Sequence, residues 1–129
     1  MKKIFYVLVL LSIGLAYCKK DKPLIVPEKL IGQWTYVKQV EKNSNNAETV
    51  YLPDENYIYD FQDNGDLYIS KNGVIIINNK WKLTDNHILR YNDQDPDFII
   101  TKLDDHNLIY YHESTDLNGT IRYTDYYKR

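Results

Sequence analysis

The sequence contains little cysteine, methionine or phenylalanine and has no surplus of basic residues. Its 129 residues include one Cys, one Met and three Phe, with 16 Lys and Arg against 18 Asp and Glu. A single Cys excludes a disulfide framework within the chain, and one Met and one Cys leave little material for redox chemistry. Without a basic surplus the chain lacks the electrostatic footprint of a nucleic-acid-binding protein. The length is sufficient for one modest domain.

The first 17 residues have the pattern of a bacterial signal peptide. A short basic region with two lysines precedes a largely apolar stretch, residues 4–17, which is too short to span a bilayer as a stable helix. Leu15 and Ala16 ahead of Cys18 resemble a bacterial lipobox, in which the Cys receives diacylglycerol. We therefore predict that residues 1–17 are a lipoprotein signal peptide and that Cys18 is lipidated.

An alternative cleavage site remains open, because Tyr17 stands where the lipobox usually has a small residue. Gly14-Leu15-Ala16 also fits the small-x-small site of ordinary signal peptidase. Cleavage there would release a secreted, soluble protein with a free thiol. Lipidation is favoured because the only Cys lies where the signal ends, and lone thiols are rare in secreted chains.

Residues 18–27 are predicted to form a tether between the lipid anchor and the domain. The charged segment from Lys19 to Lys22 partly resembles the tag that directs lipoproteins of Bacteroidetes-type bacteria to the cell surface, and a merely solvated tether is the alternative. Pro23 and Pro27 stiffen this segment. We therefore expect a protein held at the outer membrane by an N-terminal lipid, on the periplasmic face or the cell surface.

From Glu28 onward the sequence favours β-strands and lacks a long helical periodicity. Short runs rich in Val, Ile, Tyr, Phe and Thr are separated by turn signals such as Asn64-Gly65, Asn72-Gly73 and Asn118-Gly119. The predicted strands are residues 34–41, 57–61, a strand around 67–69, 74–83, 87–91, 98–103, 108–113 and 121–127. Because closure removes exposed strand edges, we predict an all-β fold, an eight-stranded up-and-down antiparallel β-barrel over residues 28–129. A two-sheet sandwich is the structural alternative.

Several short motifs occur in a definite order across residues 28–129. They are residues 32–34, 59–61 followed by 64–65, 81–83, 100–108 and 127–129. Gly32-Gln33-Trp34 resembles the Gly-x-Trp opening of lipocalins, and the full series is similar to the small lipocalin-like lipoproteins of Bacteroidetes. The resemblance implies a barrel closed at one end by the Gly32 and Trp34 motif. It also implies an Arg packed over Trp34, for which Arg129 and Arg122 are the candidates.

Motifs for catalysis or metal binding are missing from the sequence. There is no nucleophile elbow, no phosphate-binding Gly loop and no CxxC pair. His87, His106 and His112 lack metal-ligand spacing and are predicted to be surface residues. The acidic loop 93–97 begins like a calcium loop but is followed by Phe98 where Gly is needed. We therefore predict no enzyme activity, no cofactor and no metal.

Two functional hypotheses follow from the predicted barrel. In the first, a small apolar molecule binds in a shallow cup whose candidate lining residues are Tyr57, Tyr59, Ile75, Ile77 and Leu89. In the alternative, the barrel is filled and the protein is a protein-interaction or envelope-accessory module with an outer tyrosine face, formed by Tyr110, Tyr111, Tyr123 and Tyr126. A cavity of about 300 Å³ or more would favour the first hypothesis.

Overall fold

The computed structural model describes residues 25–85, 87–93 and 95–129. The predicted signal peptide, the predicted lipidation site Cys18 and most of the predicted tether lie outside these ranges. Within the described ranges, no helix is long and apolar enough to cross a bilayer. The described chain begins with a 3₁₀ turn, Pro27–Lys29, and continues as antiparallel β-structure.

Ten strands form one antiparallel sheet. Their bounds are β1 Gly32–Lys42, β2 Glu48–Tyr51, β3 Tyr57–Phe61, β4 Asp66–Lys71, β5 Val74–Lys80, β6 Lys82–Thr84, β7 Ile88–Arg90, β8 Phe98–Leu103, β9 Asn107–Asp116 and β10 Gly119–Lys128. Connections between successive strands are short, as in a sequence of hairpins.

The sheet is an up-and-down meander that curls until its first and last strands pair. Neighbouring strands follow the order β5-β4-β3-β1-β10-β9-β8-β7-β6, and the short β2 pairs with β1 beyond the end of β3. β5 and β6 therefore lie at the two ends of this path, although only Trp81 separates them along the chain. The predicted all-β, up-and-down antiparallel barrel is confirmed, and its closure is nearly complete.

The strand count differs from the predicted eight because of Trp81 and β2. The predicted strand 74–83 divides at Trp81, whose backbone N–H donates to Gly65 O at 2.8 Å and whose indole N–H donates to Gln62 O at 3.0 Å. These bonds tie Trp81 to the turn between β3 and β4, so β5 stays with β4 while β6 pairs with β7. The second addition is β2, which is exposed along its length and lies between the predicted strands 34–41 and 57–61.

The hairpin between β4 and β5 forms at the predicted Asn72-Gly73 turn. Asn72 has φ 51° and Gly73 has φ 81°. Positive φ at both central residues is the requirement of a type I′ turn, whose twist matches that of the flanking strands. The predicted Asn64-Gly65 turn lies between β3 and β4. In the hairpin of β9 and β10 the two turn residues are Leu117 and Asn118, one residue earlier than predicted, and Gly119 is the first residue of β10, paired with Asp116.

The closed end of the barrel is built around Trp34, which is completely buried. Its indole Nε1 donates to Leu30 O at 2.8 Å, which fixes the ring against the segment that follows the 3₁₀ turn. Ile25 is buried in the same core, so packing begins ahead of Glu28, where the sequence placed the start of the domain. The other completely buried hydrophobic side chains are Leu30, Phe61, Leu67, Leu89 and Leu108.

Arg129 covers Trp34 from the outside. Its Cζ lies 4.2 Å from the centre of the indole ring. The guanidinium also donates to three backbone carbonyl oxygens at 2.9–3.0 Å, those of Lys29, Ile31 and Asp105. Arg122, the other candidate for this position, pairs instead with Glu113. The Arg129 clamp therefore joins the last residue of the sequence to both flanks of the barrel floor.

We expect Arg129→Ala to lower the free energy of unfolding by about 2 kcal/mol, because it removes a cation–π contact and three charge-assisted hydrogen bonds. Arg129→Lys should recover only part of this loss, since a compact ammonium cannot replace the planar fork. Arg122→Ala is the matched control, because Arg122 also packs over a ring, that of Tyr111, but its polar partner is the exposed carboxylate of Glu113. The expected change is about 1 kcal/mol. Urea denaturation followed by tryptophan fluorescence measures all three, and equal losses at the two arginines would contradict the clamp.

Candidate functional site

The barrel contains a cavity of about 500 Å³ that opens to solvent. Six of its fourteen described lining residues are tyrosines, Tyr36, Tyr57, Tyr59, Tyr91, Tyr110 and Tyr127. The remaining lining residues are Gln39, Ile69, Ile77, Asn79, Asn92, Asp95, Phe98 and Asp125. No Lys or Arg belongs to this described wall, so its two carboxylates have no basic neighbour within it.

The incomplete closure of the barrel adds a second depression beside the cavity. It measures about 480 Å³ and lies where β5 and β6 pass β7, with Lys80, Trp81 and Arg90 among its lining residues. It shares Asn79, Tyr91 and Asn92 with the cavity. The two depressions therefore adjoin each other at these three residues.

The alternation of side chains along each strand determines which residues line the cavity. On β3, Tyr57 and Tyr59 line the cavity and Phe61, two residues on, is completely buried. On β10, Asp125 and Tyr127 line the cavity in the same way. Successive side chains on a strand point to opposite faces, so these pairs share the inner face of the barrel.

A β-bulge in β1 brings Gln39 into the cavity wall. The register of β1 with β10 shifts between Tyr36 and Lys38. In a regular strand Tyr36 and Gln39 would face opposite sides, but the extra residue of the bulge leaves both of them lining the cavity. Gln39 then lies opposite Asp125, and its Nε2 donates to Asp125 Oδ1 at 3.0 Å.

Five of the cavity tyrosines form one connected cluster centred on Tyr127. The ring centroids of Tyr36, Tyr59 and Tyr110 lie 5.4, 4.9 and 5.1 Å from that of Tyr127. The Tyr91 hydroxyl donates to the Tyr110 hydroxyl at 2.5 Å, and the Tyr110 and Tyr127 hydroxyls are hydrogen-bonded to each other. Ring contacts and shared hydroxyl bonds together make this a rigid wall with polar tips.

Asp125 is the buried charged residue of the described chain, with 7% of its surface exposed. Gln39 is its hydrogen-bond partner, and no ion pair among the described residues includes it. Burial raises the pKa of the Asp125 carboxyl to about 6, and the Gln39 hydrogen bond opposes that rise. The carboxyl is therefore mostly ionised at neutral pH, without a cation from the described protein beside it.

Five tyrosine hydroxyls of the cavity stay neutral. Burial, with a smaller contribution from the negative charge of Asp125, raises the pKa of Tyr36, Tyr59, Tyr91, Tyr110 and Tyr127. Neutral phenols can donate as well as accept hydrogen bonds. The cavity therefore offers apolar ring faces, neutral hydroxyls and a negative charge at Asp125.

Three of the five residues predicted to line a cup line the cavity, namely Tyr57, Tyr59 and Ile77. Leu89 is completely buried in the core and pairs across strands with Leu83. Ile75 is 61% exposed and lies outside the wall. The register explains its position: Ile77 pairs with Ile69 whereas Ile75 pairs with the next residue of β4, so a bulge between them reverses the face.

Gly32 and Trp34, the predicted floor motif, lie at the closed end and not in the cavity wall. Gly32 has φ 110°, a conformation that L side chains rarely adopt. A Cβ at this position would stand 3.4 Å from Arg129 Nη1. Glycine at this position therefore permits both the backbone turn into β1 and the close approach of the Arg129 guanidinium.

Asp125 and Gln39 were not among the residues predicted from the sequence to form the site. The available signal was the spacing of Tyr123, Asp125 and Tyr127, which puts an acidic residue between two aromatic ones on one face of a strand. Gln39 carried no such signal, because only the bulge in β1 turns it inward. The remaining unpredicted lining residues include Tyr36, Tyr91, Tyr110 and Tyr127.

The tyrosines of the predicted outer face lie on both sides of the barrel wall. Tyr110 is buried in the cavity wall, and Tyr123 stacks on His112 with ring centroids 5.0 Å apart. Arg122 Cζ lies 4.2 Å from the ring centroid of Tyr111, and Lys38 Nζ lies 4.7 Å from the ring centroid of Tyr126. Adjacent residues of a strand face opposite sides, so these four side chains do not form one surface.

His112 is half-buried rather than a surface residue. Its ring also packs against Phe98, with the two ring centroids 5.2 Å apart. Burial lowers the pKa of the imidazole, and its Nδ1 has no hydrogen-bond partner among the described residues. In residues 25–85, 87–93 and 95–129, no three His, Cys, Asp or Glu side chains come together as a candidate metal site. The ring of His112 therefore acts as part of the aromatic packing.

No model of a known protein family matches this chain, and no curated protein matches it. The cavity and the residues that line it are therefore the basis for assigning a function to the protein.

We expect Asp125→Asn to gain stability relative to the native chain as the pH rises. The folded pKa of about 6 exceeds the ordinary value of 3.8, so ionising Asp125 above that range disfavours the folded state. The stability of the variant relative to the native chain should therefore increase by about 2 kcal/mol between about pH 4 and pH 8. Urea denaturation of both proteins across this range measures the difference, and parallel stability curves would contradict it.

Proposed function

We propose that this protein is a lipid-anchored envelope protein whose barrel binds a small, largely apolar molecule in the cavity. The observation that carries the proposal is the open cavity of about 500 Å³, half of whose described lining residues are aromatic. Small-molecule sites have volumes of about 300 to 1,000 Å³ and combine apolar walls with a few polar groups. This wall combines six tyrosines and three hydrophobic residues with five polar residues, which is compatible with that description.

The proposal includes a relationship to the small lipocalin-like lipoproteins. Three features support it: the up-and-down barrel, Trp34 buried at one end, and Arg129 packed over the indole ring. A shared fold does not assign a function, so the binding role is argued from the cavity itself. Lipidation of Cys18 would hold the barrel at the outer membrane, on the periplasmic face or the cell surface, whereas cleavage after Ala16 would secrete it.

The chemistry of the cavity supports binding rather than catalysis. Its ionisable lining groups are the carboxyls of Asp95 and Asp125 and the tyrosine phenols, and no His, Cys, Ser or Lys belongs to the described wall. A nucleophile with a base in hydrogen-bond reach is the usual signature of an acyl-transfer or hydrolytic site. The described wall contains no such pair.

A second candidate function, a protein-interaction module, is favoured by the exposed surface of β5. Val74, Ile75 and Ile76 are 65%, 61% and 50% exposed at one end of the sheet path. Exposed apolar edge strands are frequent sites of pairing with another chain. For this candidate, native mass spectra would contain an additional protein mass, and Ile75→Lys would remove it.

Native mass spectrometry of the protein, purified from its own membrane fraction, is expected to show an extra small mass that denaturation removes. Ile77→Trp should abolish that mass, because an indole in the wall would occupy much of the binding volume. Ile76→Trp is the matched control, since Ile76 lies outside the wall and is half exposed. Absence of the mass in the native chain, or its persistence in Ile77→Trp, would overturn the proposed site.

Cys18→Ser is expected to move the protein from the membrane pellet to the soluble fraction, because the lipid attached to the thiol supplies the anchor. Tyr17→Ala is the control and should leave the protein in the membrane. Intact mass of the native protein should correspond to a chain that begins at Cys18 and carries acyl chains. A soluble, unacylated chain that begins at Tyr17 would show that the protein is secreted instead.

A further inference from the structure

We infer that the ligand of the cavity is an amphiphilic cation, an amine attached to an apolar body, and that Asp125 binds its charged end. This inference rests on the proposed binding function and adds the charge of the ligand to it. It depends on three features of the cavity: an isolated buried carboxylate, electron-rich ring faces around it, and the absence of basic residues from the described wall.

Asp125 is positioned to receive a cation. Gln39 Nε2 donates to its Oδ1 at 3.0 Å, and no described residue donates to Oδ2. The side chain is more than nine-tenths buried, yet it lines a cavity that opens to solvent. A buried carboxylate without a countercharge is unfavourable, and a positively charged group from outside would compensate it. A ligand ammonium in the cavity can supply that charge and donate the missing hydrogen bond.

The wall around Asp125 also favours a cation. Tyr36, Tyr59, Tyr110 and Tyr127 belong to one cluster, and a cation attracted to the face of an aromatic ring gains most where water is excluded. The apolar side chains of Ile69 and Phe98 provide a surface for the rest of the molecule.

An anionic ligand, such as a fatty acid, fits this wall poorly. Asp95 lines the same cavity as Asp125, and the described wall has no Lys or Arg to neutralise either carboxylate. A third negative charge would be repelled by both. The wall therefore distinguishes ligands of similar shape by the charge of their polar end.

Three probes with one skeleton test the inference: 4-phenylbutylamine, 4-phenyl-1-butanol and 4-phenylbutyrate, titrated calorimetrically into the mature protein at neutral pH. The amine should bind about tenfold more tightly than the alcohol, because it gains a charge-assisted hydrogen bond and cation–π contacts. The carboxylate should bind more weakly than the alcohol.

Asp125→Asn should weaken amine binding about tenfold and alcohol binding much less, because only the amine loses an attraction between opposite charges, whereas the hydroxyl can still donate to the amide oxygen. Retained alcohol binding also shows that the variant folds with an intact cavity. Asp60→Asn is the matched control, because Asp60 lies on β3 between two inward residues and accepts an exposed hydrogen bond from Gln33. It should leave all three affinities as they are.

The outcomes separate this inference from the proposed function. Equal affinities for amine and alcohol, or an amine affinity that Asp125→Asn does not change, would overturn the cationic ligand while the binding cavity stands. Tighter binding of the carboxylate would also overturn it. Failure of all three probes to bind would overturn both the cationic ligand and the binding role of the cavity.

Discussion

The pairing of β1 with β10 is the constraint on which the rest of the structure depends. These are the first and last strands of the described chain, and their pairing turns an open meander into a barrel. The Arg129 clamp over Trp34 lies at one end of this seam, and the Gln39–Asp125 hydrogen bond lies further along it. The barrel floor and the charged group of the cavity are therefore positioned by the same two strands.

Local sequence patterns predicted most of the fold, because a meander is assembled from hairpins between neighbouring segments. Alternation in residues 57–61 and the Asn72-Gly73 turn each specify a strand or a hairpin without reference to distant residues. The division at Trp81 was not predictable in this way. It depends on hydrogen bonds to the turn between β3 and β4, which are tertiary contacts that a pattern within residues 74–83 does not contain.

The inward-facing residues were harder to predict than the strands, because a single bulge reverses the face of every later residue. Ile75 lies outside the wall and Gln39 lies inside it for this reason. Asp125 was missed for a different reason. A charged residue in an alternating strand is ordinarily assigned to solvent, and only the seam between β1 and β10 shows that this one is enclosed.

The burial of Asp125 is better explained by a role in binding than by a role in the stability of the fold. An Asn in its place could accept the same hydrogen bond from Gln39 without the desolvation of a charge. The register of β1 and β10 is also held by their other backbone pairs and by the Arg129 clamp. What the carboxylate adds is a negative charge within a wall of tyrosine rings, at a cost to the stability of the empty protein. Such a cost is typical of groups whose role is in binding, so the charge is best understood through a ligand that neutralises it.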